Sequence, residues 1–152
     1  MNAPIKLYNI TPDGFSGLLP ENAPYCSRGE IAQLHKETCQ LLGIERLYPK
    51  ILWSFSMHMR NAVGEACWWF DDLDKKQWRI QYCTKSWIAL GAAGRRNTIV
   101  HEICHLAVEK IYGHNARRRK DQECVTDHGK HWQDLMEKCG EDPFMDVEYV
   151  YR

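Results

Sequence analysis

At 152 residues the chain is long enough for one domain with a substantial core and too short for several. Its 20 basic and 20 acidic residues cancel, so no overall field draws it toward nucleic acid or a membrane surface. No segment approaches the roughly 20 apolar residues of a membrane span, and Met1 to Ile10 lacks the basic start and apolar run of an export signal. Seven cysteines without a C-x-x-C pair fit reduced thiols in a cytoplasmic protein.

Residues 1–25 hold Pro4, Pro12, Pro20 and Pro24 with Gly14 and Gly17, and read as an irregular arm before a single domain over 26–152. Arg28 to Gly43 is expected to be a helix, with Ile31, Leu34, Thr38, Leu41 and Leu42 on its inner face and Gly43 as its stop. Three strand-like runs follow at Ile51–His58, Glu65–Phe70 and Trp78–Cys83, with Asp71-Asp72-Leu73-Asp74 turning between the last two. The tryptophans of this region, including Trp53, Trp68, Trp69, Trp78 and Trp87, are expected to be core rather than a base-stacking platform. Ser86 to Leu90 is a short connection, and Gly91 to Gly94 a break before a helix from about Asn97 to Tyr112, capped by Asn97. A last helix is expected over Gly129 to Cys139. The order helix, three strands, helix, helix implies an α+β domain with helices packed on a small, mainly antiparallel three-stranded sheet.

The second helix carries the chemistry. His101-Glu102-Ile103-Cys104-His105 is an H-E-x-x-H run. Residues four apart on a helix lie about 40° apart around its axis, so both imidazoles share one face and one metal ion can bridge them. Glu102 is adjacent and can serve a metal-bound water as general base. The surrounding Ile99, Val100, Leu106, Ala107, Val108 and Ile111 make the helix apolar on most faces, hence buried. Unpaired imidazoles there would cost several kcal/mol, and a metal removes that cost.

A catalytic zinc usually takes a third protein ligand. The extended motif ending in a third histidine is absent, because Val108 and Ile111 occupy the positions where its glycine and histidine would fall. Glu123, His114 and His131 are candidates, and His128 is the best of the set, opening the apolar-periodic segment of Trp132, Leu135 and Met136. Asp127 can cap that segment or orient an imidazole. Tyr112, His114 and His131 are candidate donors to a tetrahedral oxyanion. Cys104 is expected to pack as a small hydrophobe.

His101-Glu102-Ile103-Cys104-His105-Leu106, Tyr112-Gly113, His128-Gly129-Lys130-x-Trp132 and Met136-Glu137 together resemble the SprT family of zinc metallopeptidases. The upstream Leu52-Trp53-Ser54-Phe55-Ser56 and Gly64-Glu65-Ala66 resemble the strands preceding the active-site helix in that family, so the resemblance spans roughly residues 28 to 140. It implies a zincin-like fold in which one zinc ion is bound by His101, His105 and His128, with Glu102 as catalytic base. The substrate would be protein or peptide. The family's eukaryotic relative, the Spartan protease, degrades proteins crosslinked to DNA, which makes DNA a candidate partner and Arg117-Arg118-Arg119-Lys120 its candidate contact. Two departures stand out: a longer insert between His105 and His128, and no C-x-x-C pairs of a following zinc ribbon.

Two other readings compete with a zinc peptidase. One is a deformylase-like hydrolase with Cys67 as the third ligand, although the surrounding Gly64-Glu65-Ala66-Cys67 lacks that family's pattern. The other is a non-enzymatic DNA-binding or adaptor protein with structural zinc, against which Glu102 argues, since a structural site needs no such carboxylate.

Overall fold

In a computed structural model, residues 23–56, 58–59, 62–87, 89–113 and 128–145 are described, together with two short strands nearer the start. Those strands, β1 (Pro4–Lys6) and β2 (Leu18–Pro20), pair antiparallel, so the arm expected to be irregular contains a small ribbon. The chain then meets the domain at Pro24 and Tyr25. Their carbonyls accept from Arg95 Nη1 (2.8 Å) and Trp87 Nε1 (2.7 Å), and the Tyr25 hydroxyl accepts from Arg96 Nη1 (2.8 Å).

Helix α1 spans Arg28–Leu41. Ser27 caps it, its Oγ accepting from the Glu30 amide at 3.2 Å, while the Glu30 carboxylate reaches back to the Tyr25 amide. Gly43 ends it in the left-handed region at φ 73°, the stop expected from sequence. Its inner face is Ile31, Leu34, His35, Thr38 and Cys39; Leu41, expected inside, is half exposed.

After a single 3-10 turn at Tyr48–Lys50 come β3 (Ile51–Ser56), β4 (Gly64–Phe70) and β5 (Lys76–Cys83). The β4–β5 hairpin is set locally. Asp71 Oδ1 accepts from the amides of Leu73 (2.8 Å) and Lys75 (2.9 Å), and Asp74 takes φ 60°. The sheet order is β3-β5-β4, with β5 antiparallel to β4 and parallel to β3. The sheet is therefore mixed, not mainly antiparallel. The reason is burial. β5 sends Trp78, Ile80 and Tyr82 into the core and takes the middle, whereas β3 carries the exposed Leu52 and takes an edge. The chain crosses from β3 to the far edge before β4 begins, so β3 and β4 are not neighbours.

Helix α2 (Thr84–Trp87) leads to α3 (Gly91–Tyr112), which begins six residues before the expected start. Glycine's poor helix propensity is overridden by packing. A Cβ on Gly94 would stand 3.3 Å from Leu90 Cβ, and Thr98 Oγ1 donates back to the Gly94 carbonyl at 2.8 Å. Asn97, expected as a cap, lies inside the helix, and its Nδ2 donates to Glu141 Oε1 (3.2 Å) and the Asp142 carbonyl (3.0 Å). Arg95 is only 6% exposed, with Nε donating to the Trp87 carbonyl at 2.9 Å.

The last helix, α4 (Lys130–Lys138), packs on α3. Helix α3 also packs on α1 and lies against β4 and β5, which accounts for burial of nearly every residue from Gly94 to Glu109. Trp68, Trp78 and Trp87 are core, as expected; Trp53 is half-buried, with the Arg28 guanidinium 4.7 Å from its ring centroid. The architecture is α+β, and no described helix is long and apolar enough to cross a membrane.

Candidate metal centre

Helix α3 presents His101 and His105 one turn apart, and α4 is entered through His128 and its N-cap Gly129. The three Nε2 atoms stand 3.1 Å from one another in every pair. An imidazole's lone pair or N–H lies in the ring plane and points straight out from the nitrogen. Three such nitrogens facing one point cannot all be satisfied by each other, whereas a cation satisfies all three. These residues can hold a metal ion, and they are the one such group of three among the described residues.

The protonation states agree. Burial, then the neighbouring His128, lowers His101 to about 4. Burial, then His101 and His128, lowers His105 to about 2. Both are neutral at physiological pH, the form that ligates metal.

Trp132 supports the cluster. It is buried, its Nε1 donates to the His101 carbonyl at 3.2 Å, and its ring lies against all three imidazoles, with centroids 4.7, 5.5 and 4.6 Å from His101, His105 and His128. Among the described residues, His105 Nδ1 is buried without a hydrogen-bond partner, so its ring is oriented by this packing.

Glu102 is 4% exposed, and its Oε2 is 3.9 Å from His101 Nε2. Burial, with Glu65 adding, pushes its carboxyl up to about 8. Strand β4 comes close to it. A Cβ on Gly64 would lie 2.8 Å from Glu102 Oε2, 3.0 Å from its Cγ and 3.1 Å from Thr98 Cγ2. Only glycine permits this approach, which is the usual meaning of a glycine in a strand.

The structure thus brings together His101, Glu102, His105 and His128 from the sequence-derived set. Tyr112 and His131, candidates for the oxyanion, stack on each other with centroids 3.7 Å apart. His114, Glu123, Asp127 and Arg117, Arg118, Arg119 and Lys120 lie outside the described residues, and the N-cap of α4 is Gly129, with no side-chain cap. Cys67 is not in the cluster. It is disulfide-bonded, unlike the all-reduced set expected; Cys26, Cys39, Cys83, Cys104 and Cys139 are free. Gly64 and Glu65 had no site role in the sequence reading. The signal was a glycine opening an otherwise apolar strand.

Among curated proteins and solved structures none matches this chain. A family model does: that of the SprT-like family, over residues 31–149, extending the resemblance past the last helix. The match covers well over half of the 152 residues and contains the whole histidine cluster and Glu102, so the chain belongs to the SprT-like family.

Proposed function

We propose that this protein is a zinc-dependent metallopeptidase of zincin-like design. The observation that carries the reading is the convergence of three Nε2 atoms beside a buried carboxylate. The centre of a triangle with these sides is about 1.8 Å from each corner, close to the zinc–imidazole bond length of about 2.0–2.1 Å. His101, His105 and His128 would hold the ion. Bound zinc acidifies a water and polarises a carbonyl.

The chain's own residues do the rest. Glu102 Oε2 accepts the water proton and passes it to the leaving amine. That carboxylate is buried and stands against Gly64 of β4. Strand β4 is the sheet edge on the Glu102 side, and an extended peptide can add to such an edge through backbone hydrogen bonds. A donor for the oxyanion comes from the Tyr112–His131 pair at the end of α3 and the start of α4.

DNA-associated proteins are the substrate class that the sequence resemblance implies, and this reading takes them as such. The free thiols favour a reducing compartment, and the Cys67 disulfide does not.

The test compares zinc-loaded wild type with Glu102→Gln and His128→Ala on an unfolded protein substrate, with and without single-stranded DNA. Glu102→Gln should keep its metal and lose about 10²- to 10⁴-fold in rate. His128→Ala should lose the metal. Cleavage by Glu102→Gln at the wild-type rate would overturn the peptidase reading, and rates indifferent to DNA would remove DNA from it.

A further inference from the structure

Strand β3 is the edge of the sheet opposite β4, and among the described residues no strand pairs with its outer side. Alternate backbone N–H and C=O groups of such an edge point away from the sheet and can bind another extended chain. Ile51 and Phe55 are buried on the inner face with Trp53 between them, and Leu52 and Ser54 alternate to the outer face. Leu52 is apolar and yet 55% exposed.

A groove of about 320 Å³ lies along this edge, lined by Arg28 at the start of α1, by Ile51, Leu52, Trp53 and Ser54 of β3, and by Arg79 of β5. Both charged lining residues are arginines, and no carboxylate lines the groove, in a chain whose overall charges cancel. The two cations lie on opposite faces of the sheet edge. The Arg28 guanidinium stands over the ring of Trp53, 4.7 Å from its centroid, on the inner side. Arg79 is the register partner of Leu52 and so shares its outer face, with the guanidinium 5.6 Å from the Trp69 ring centroid.

This placement selects the occupant. Successive side chains of an added strand point to opposite faces, so two adjacent acidic residues on it meet Arg28 and Arg79, one each. A second copy of β3 would bring arginines against arginines, and like charges facing each other across strands are destabilising. A nucleic-acid base needs an open aromatic face to stack on. The Trp53 ring is engaged already, with Arg28 over it and the His35 and Tyr82 rings against it at 5.0 and 6.4 Å.

We propose that the β3 edge is a docking site for an extended acidic segment of a partner protein, which adds to the sheet as a further strand with two adjacent carboxylates on Arg28 and Arg79. Backbone hydrogen bonds to β3 hold the segment, the arginines select its sequence, and Leu52 gives an apolar contact to the residue beside the acidic pair. Strand β5 lies between this edge and β4, so the partner is held on the side of the sheet away from the strand that faces Glu102.

The experiment titrates the full chain into a fluorescently labelled peptide, Thr-Val-Glu-Glu-Val-Thr, and reads anisotropy. Binding should saturate, weaken about fivefold in Arg28→Gln and in Arg79→Gln, and disappear when both glutamates of the peptide are replaced by lysine. Leu52→Asp sets a carboxylate beside Arg79 at an exposed position that folding does not depend on, and it should abolish binding even if an arginine variant fails to fold. The peptide is also made with its amides N-methylated in two alternate sets. One set should abolish binding and the other spare it, because only alternate amides face β3. No saturable binding to the wild type at millimolar concentration would overturn the proposal. So would binding indifferent to both arginines and to Leu52→Asp, or binding that both methylated peptides retain. A single-stranded oligonucleotide whose binding is lost in both arginine variants while the peptide's is unchanged would overturn it in favour of nucleic acid.

Discussion

Gly64 and Glu102 are in direct opposition. A methyl group on the strand residue would stand 2.8 Å from the Oε2 atom of the helix residue. The carboxylate is the mobile partner, since it ends a flexible side chain, whereas Thr98 Cγ2 at 3.1 Å belongs to a buried residue whose hydroxyl is tied to the Gly94 carbonyl. The strand therefore sets where the candidate base can sit.

From this, Gly64→Ala should displace the Glu102 carboxylate while leaving the histidines in place. A misplacement of about 1 Å costs a reaction on the order of 100-fold, and yielding of a side-chain end should cost only about 1 kcal/mol of stability. Rate, bound metal and urea midpoint measured together check this. A variant that loses its metal along with its rate would show that the contact shapes the ligand set instead.

Trp132 should matter more to the metal than to the core. Trp132→Phe keeps an aromatic body against the three imidazoles but removes the N–H on the His101 carbonyl. Loss of a group that orients ligands typically costs 10- to 100-fold in metal affinity, roughly. Competition with a chromophoric chelator reads the affinity. Trp132→Ala should additionally destabilise the fold by about 3–5 kcal/mol.

His35 predicts a pH dependence distant from the metal ligands. It is buried on α1, with Nε2 2.8 Å from the Tyr82 hydroxyl, and burial lowers it from 6.5 to about 3. The folded protein therefore resists protonation that the unfolded chain accepts. The stability His35 contributes is complete above about pH 6.5 and is lost as pH falls toward 3. Between pH 7.5 and 5 the loss should be about 2 kcal/mol. Urea titrations of wild type and His35→Gln at both pH values check it, and parallel pH slopes for the two proteins would refute the assignment.

Lys76 and Glu109 form an ion pair between β5 and α3, with Glu109 buried and Lys76 Nζ lying 4.2 Å from the Trp68 and 4.8 Å from the Trp78 ring centroids. Lys76→Met should leave Glu109 as an uncompensated buried charge and cost about 3–5 kcal/mol. Adding Glu109→Leu should restore most of that loss. A double variant no more stable than Lys76→Met would place the cost in the cation–ring contacts.

Much of the chemistry was readable along the chain because it is local. H-E-x-x-H on a helix determines by spacing alone that His101 and His105 share a face, and the run of apolar neighbours determines that the face is buried. The Ser27 cap, the Gly43 stop and the Asp71 turn are likewise short-range hydrogen-bond and φ requirements, visible in residue type.

The tertiary structure decided what depends on packing at a distance. It inserted β5 between β3 and β4, because the most deeply buried strand takes the centre of a sheet regardless of chain order. It carried α3 back to Gly91, where Gly94 packs on Leu90 and Arg95 bonds the Trp87 and Pro24 carbonyls despite poor helix propensity. It brought His128 Nε2 to 3.1 Å from two nitrogens 23 and 27 residues away in the chain. Sequence spacing determines which residues one helix presents together; which residues a second element adds to them depends on how the elements pack, and no local pattern encodes that distance.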